Sequence, residues 1–200
     1  MTLAPLSVFV DDLKRWEGVV PHMYLDTHRD TAGNPAPLVT VGIGSMLPNV
    51  ATAIHLPFTL PYGSGRRPAT GLEVENEYLR VKRMPFGHSA SFYRSDSSPV
   101  LSQGDIAALT ERRLIEEFLP ELDSLGVVVK LYPLPAQRAV VDMAWNLGVA
   151  KLGRLFPSFC GACRSRNWAM AALECHRATP RPERNDWTRQ LFEEAANGPV

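Results

Sequence analysis

The feature that most constrains this chain is a change in the spacing of its apolar residues, followed by a return. Leu6, Phe9, Val10, Leu13 and Trp16 recur at the spacing of one helical face, and the pattern stops at Glu17-Gly18. After Pro21 it gives way to short extended pieces, His22 to Leu25 and Leu38 to Ile43, joined by a stretch rich in Asp, Thr, Gly, Asn and Pro. These pieces predict a small hairpin or meander with a long loop. Four prolines and the turn Gly63-Ser64-Gly65 between Pro48 and Pro68 predict an irregular surface excursion. Helical spacing then returns. Thr70-Gly71-Leu72-Glu73 is a capping-box pattern opening a short helix to about Lys82, and Ser102 to Asp105 opens a long amphipathic helix through Leu122. Ala139, Val140, Met143, Ala144 and Leu147 predict a central buried helix stopped by Gly148, and two more helices are expected over Asn167 to Arg177 and Asn185 to Ala196. The fold class read from this order is α+β: an N-terminal lobe over 1–47, an inserted region over 48–100 and a helical lobe over 101–200.

Composition narrows the function classes. With 200 residues, of which 45% are hydrophobic, the chain buries one sizeable core. Twenty-one Lys plus Arg balance 21 Asp plus Glu, so no global charge points to nucleic acid or makes the protein a uniformly basic wall binder. No apolar run approaches the roughly 18 residues of a membrane span. The first ten residues lack the basic start and cleavage site of an export signal. Cys160, Cys163 and Cys175 with His176 can be drawn as a zinc site. Buried thiols on helical faces are the plainer account, a disulfide stands ahead of a metal, and no metal or organic cofactor is expected.

Two carboxylates stand out by position. Glu17 lies at a helix exit and Asp26 nine residues on, just after the first extended piece. Glycoside hydrolysis needs such a pair: a protonated acid for the leaving oxygen and an ionised group as base or nucleophile. With 21 acidic residues, spacing alone is a weak signal. The surrounding residues change the weighting. Trp16-Glu17-Gly18, Tyr24-Leu25-Asp26-Thr27 and Thr40-Val41-Gly42-Ile43-Gly44 resemble, in this order, the phage T4-type lysozyme family. Gln137 to Gly148, with Ala144-Trp145-Asn146-Leu147-Gly148 at its end, looks like that family's central helix. Trp168 and the run from Arg184-Asn185 to Leu191-Phe192 look like its C-terminal helices.

The resemblance implies a lysozyme-like fold and a muramidase that cleaves the β-1,4 bond between N-acetylmuramic acid and N-acetylglucosamine. Glu17 then matches the general acid, Asp26 the second carboxylate, and Thr40 the hydroxyl that helps hold the attacking water. Inversion requires a carboxyl separation of about 6.5 to 9.5 Å to admit that water. Trp145 and Asn146 match positions lining the saccharide groove, and Arg184 a basic residue near the acid. A guanidinium there lowers a carboxyl's pKa where an acid catalyst needs it raised, so substrate must exclude water to restore the protonated form. The connection from His28 to Val39 is longer than in the family, which bears on Thr40, and residues 48–98 match nothing in it.

Two further readings belong to other classes. One is a catalytically silent peptidoglycan-binding module; the other is a regulatory protein that binds a partner through residues 48–98. The expected partner is peptidoglycan, with no nucleic acid and a monomeric chain. Tyr24-Leu25-Asp26, the run from Asp142 to Gly148, and Arg184-Asn185-Asp186-Trp187-Thr188 look like lysozyme-like effectors of type VI secretion. Such an effector implies an immunity protein, whereas an endolysin implies a holin; either is made in the cytoplasm and acts on the wall. Charge is also segregated. From Lys151 to Arg189 eight bases face three acids, and from Leu101 to Lys130 six acids face three bases. This predicts a basic C-terminal helical region suited to an anionic glycan or peptide.

Overall fold

The computed structural model describes residues 2–28 and 33–198. Helix α1, Leu6–Glu17, buries Phe9, Val10 and Leu13, the stripe its spacing predicts. The chain forms two compact units, one of residues 17–110 and one of residues 1–16 with 111–200. Contacts thus group the first helix with the C-terminal helices.

In the 17–110 unit, β1 (Val20–Leu25), β2 (Val39–Gly42) and β3 (Ser45–Leu47) make an antiparallel meander in that order. Every residue of β2 is buried, as expected of a central strand with both faces covered. The β2–β3 turn depends on Gly42, whose φ of +68° lies in the left-handed region and whose missing Cβ leaves room for Ile106. A Cβ there meets Ile106 Cγ2 at 3.1 Å. Gly42→Ala is therefore expected to destabilise the protein by about 1–3 kcal/mol, combining backbone strain with overpacking. A denaturant midpoint unchanged by this substitution would contradict that account.

Residues 48–68 are more regular than their prolines suggest. A short helix α2, Val50–Ile54, is capped by Asn49, and β4 (Thr59–Tyr62) pairs with β5 (Gly65–Pro68) as a hairpin. The reason lies in the register. With Tyr62 opposite Gly65 across the two-residue turn, alternation places Pro61 and Pro68 at positions where the ladder needs no N–H. Ala69 N–H donates to Phe58 C=O, extending the same alternation. Thr59 and Val100 exchange both main-chain hydrogen bonds, and Leu101 N–H donates to Pro21 C=O, which ties the hairpin to β1.

Helix α3, Gly71–Lys82, begins as its sequence predicts: Thr70 accepts from Glu73 N–H, and Glu73 accepts from Thr70 N–H. Glu73 also holds Arg67 in a two-pronged ion pair. The Arg67 hydrogen bonds, then those of Thr70, hold its carboxyl down at about 2. A carboxyl depressed on folding contributes stability above its ordinary value near 4.5, and loses it as pH falls toward 2. The stability difference between wild type and Glu73→Gln is expected to fade across that window. An acid titration of both proteins checks it, and a pH-independent difference would refute it.

The second unit is helical: α5 (Leu119–Ser124), α6 (Leu134–Leu147), α7 (Val149–Leu155), α8 (Pro157–Arg164), α9 (Trp168–Glu174) and α10 (Pro182–Asn197). The long helix expected through Leu122 exists, but not as one regular element. Helix α4 (Gln103–Arg113), within which the division between units falls, passes through a π-helical segment, Leu114–Phe118, into α5. Leu119 N–H reaches back to Leu114 C=O, and Pro120 has no N–H to donate, so the regular ladder is interrupted there. Helices α7 and α8 have no counterpart in the sequence reading. They are short and contain Gly153 and Gly161, which weakens any periodic signal.

The core of this unit is aromatic, with Phe159 edge-on to Phe192 at 5.5 Å and Tyr132 edge-on to Trp168 at 4.9 Å. Gln137 anchors the N-terminus, accepting from Ala4 N–H at 2.8 Å and donating to Thr2 and Tyr132 carbonyls. Cys160, Cys163 and Cys175 are all buried and free, and burial pushes each thiol upward, Cys175 to about 11. Among the described residues no group of His, Cys, Asp and Glu is arranged to hold a metal ion, and no helix is long and apolar enough to cross a membrane.

Candidate functional site

The Glu17, Asp26 and Thr40 positions are built by the end of α1 and the β1–β2 pair. Helix α1 ends at Glu17, whose side chain lies in an exposed residue, and Gly18 at φ +74° turns the chain into β1. Antiparallel register sets Tyr24 opposite Thr40 and Leu25 opposite Val39. The next pair continues the ladder in a modified form. Asp26 N–H donates to Leu38 C=O at 3.1 Å, while Leu38 N–H donates to the Asp26 side chain, Oδ1, at 2.9 Å.

Oδ1 of Asp26 also accepts from His28 N–H at 3.1 Å, so one carboxylate oxygen shapes the loop. Among the described residues, no hydrogen bond to Oδ2 accompanies these two. The lengthened connection closes on itself through Ala36 N–H to His28 C=O, 2.9 Å. Its residues 29–32 lie outside the described residues. Thr40 lies two residues from Leu38, the partner of Asp26. Thr40 is itself buried, and its hydroxyl donates to Leu38 C=O at 3.1 Å.

Tyr24, quoted in the sequence only as part of the Tyr24-Leu25-Asp26-Thr27 motif and given no role of its own there, belongs to this site as well. It projects from the same edge of β1 as Asp26, two residues on, and faces Thr40 across the ladder. Burial pushes its phenol up to about 12, and the fields of Asp26 and Glu17 push in the same direction. Both carboxylates thus lie within electrostatic reach of one phenol, which stays protonated as a hydrogen-bond donor. Its signal in the sequence was its place in the Tyr24-Leu25-Asp26-Thr27 motif.

The remaining predicted positions belong to the helical unit. Trp145 is only 9% exposed; its ring stacks on Phe118 at 4.8 Å, and the Arg113 guanidinium lies 5.4 Å from both ring centres. Beside it, Asn146 Oδ1 is buried with no hydrogen-bond partner among the described residues. Arg184 is 4% exposed and grips Asp142 Oδ1 through Nε at 2.9 Å and Nη2 at 2.7 Å. Arg177, also buried, takes the other oxygen of Asp142 at 2.8 Å and donates to Thr188 Oγ1, which in turn donates to Asp142. Burial pushes the Arg177 guanidinium below its ordinary value, Asp142 opposes this, and Arg184 adds to the lowering.

No protein-family model matches the chain, and a search of curated proteins finds no match to it. The structure establishes an α+β architecture with a small sheet region ahead of a larger helical region.

Proposed function

We propose that this protein is a muramidase that hydrolyses the β-1,4 glycosidic bond of peptidoglycan by general acid/base catalysis. The observation that supports the reading most directly is the grouping of Glu17 and Asp26 about Tyr24, with Thr40 opposite it on the neighbouring strand. In this reading Glu17, at the helix exit, protonates the leaving oxygen. Asp26 orients and deprotonates a water on the far face of the sugar, as inversion requires. The Tyr24 phenol supplies a donor for the carboxylate that carries charge at each stage. Thr40, its proton engaged by Leu38, offers lone pairs. The resemblance alone assigns glycan binding to Trp145 and Asn146 of the helical unit, where Trp145 is 9% exposed and Asn146 Oδ1 is buried. Neither step calls for a cofactor.

Mass analysis of soluble fragments from digested sacculi tests the proposal, because it reports cleavage, the bond broken and the new end group together. Muropeptides ending in reducing N-acetylmuramic acid are expected. Intact sacculi after prolonged digestion, or cleavage confined to peptide bonds, would overturn it. The burial of Thr40 favours one alternative, a module that binds peptidoglycan without cutting it. Saturable sacculus binding with no new reducing ends is the outcome that selects it. Biological setting follows from the gene's surroundings: an adjacent immunity gene marks an antibacterial effector, an adjacent holin gene an endolysin.

A further inference from the structure

Residues 58–99, most of which fall in the stretch the sequence offers as a partner-binding region, line a hollow of about 570 Å³ between the β4–β5 hairpin, α3 and residues 96–99. That volume lies in the range of small-ligand sites, about 300–1,000 Å³. Leu60, Pro61 and Pro99 supply its apolar walls. Its polar groups are held in place before any ligand arrives. Arg80 grips Glu77 through Nε at 2.7 Å and Nη2 at 2.8 Å, and Ser98 Oγ donates to the same carboxylate at 2.7 Å. The Glu77 side chain is 8% exposed while that of Arg80 is 37% exposed, so the carboxylate is fixed and buried and its guanidinium stays partly open to solvent. Arg67 and Glu73 form the second such pair, braced by Thr70.

These pairs decide the charge of the site. Each guanidinium is matched by one carboxylate, which leaves Asp96 as the unmatched charge among the described lining residues, beside the neutral Asn76 and Ser97. Asp96 makes no hydrogen bond or ion pair with the described residues. A carboxylate or phosphate entering the hollow meets a like charge, whereas an ammonium meets a carboxylate that pays no cost for breaking an existing pair. An aliphatic stem fits the proline and leucine walls, in the manner of a lysine side chain laid along apolar surface.

We infer that this hollow is a second binding site, for a peptide side chain that ends in an alkylammonium group. The source we assign, the amine-bearing peptides carried by the wall glycan, rests on the proposed muramidase function; the chemistry of the hollow does not.

The test is an NMR titration of the full-length, isotope-labelled protein with acetyl-Ala-Lys-Ala-amide. Two comparison probes are the same peptide acetylated on the lysine Nζ and the same peptide with Glu in place of Lys. Saturable shifts at the amides of residues 60–67, 73–80 and 96–99 are expected, with both comparison peptides about two- to fivefold weaker, the size of an exposed ion pair. Asp96→Asn, an exposed substitution, should erase that preference. Equal binding of the three peptides, shifts centred elsewhere, or an Asp96→Asn protein that keeps the preference would each overturn the site. Glu17→Gln should leave the titration unchanged. A wild-type protein that binds the lysine peptide yet cleaves no glycan therefore removes the wall as the source and keeps the site. Glycan cleavage without the titration removes the site and keeps the muramidase.

Discussion

Under the proposed muramidase mechanism, Glu17→Gln is expected to lower glycan cleavage by about 10²–10⁴-fold, the usual contribution of a positioned general acid, while the protein stays folded. Glutamine has the shape of glutamate and lacks only the proton the leaving oxygen needs. Glu17 is exposed at the end of α1, so the exchange empties no cavity. Release of reducing ends from purified sacculi measures the loss, and circular dichroism with thermal melting verifies the fold. Full cleavage by this variant would remove Glu17 from the mechanism. Asp26 gives the companion experiment. Asp26→Asn keeps an oxygen to accept from the Leu38 and His28 amides and loses the charge, whereas Asp26→Ala loses both. Equal activity losses with a stability loss only in the alanine variant would separate the chemical role of this side chain from its structural one.

Asp142→Ala has the largest expected effect on stability, about 3–5 kcal/mol. The carboxylate lies between Arg184 and Arg177, all three side chains being 5% exposed or less, and it accepts from Thr188 as well. Removing it leaves two guanidiniums buried without their shared counter-charge, which costs far more than the pair itself contributes. In a chain of this size such a loss lowers the melting temperature by roughly 6–20 °C. Asp142→Asn should fall between the two, since it keeps acceptor geometry for one guanidinium. A shift of under a degree in the alanine variant would show that water or rearrangement satisfies both arginines.

This network changes the meaning of the charge segregation along the chain. The excess of basic residues from Lys151 to Arg189 counts Arg177 and Arg184, both of which are spent inside the helical unit on Asp142. Arg189 is engaged with Asp186 and Glu193 on its own helix. The surface available to an anionic partner is correspondingly less basic than the count suggests. A polar residue in the run Ala139, Val140, Asp142, Met143, Ala144 was the available clue, because a carboxylate on a buried helical face requires cationic partners.

What the sequence determined by itself was local. The α1 stripe, the capping boxes at Thr70 and Ser102, and the stop of α6 at Gly148 each rest on interactions spanning a few residues, so a short window contains their cause. Tertiary structure decided what depends on residues distant along the chain. The β4–β5 hairpin formed in a proline-rich stretch because its register puts Pro61 and Pro68 where no N–H is needed, and because Val100 pairs with Thr59 from 41 residues away. The long connection left Thr40 beside Asp26 because Leu38 closes the ladder on the aspartate side chain. The resemblance gives Arg184 as a basic residue near the acid, whereas its burial against Asp142 rests on a contact 42 residues apart, which no local pattern encodes. Pairing energies of this kind are set by desolvation and by which group arrives opposite which, and both exist only once the chain has folded.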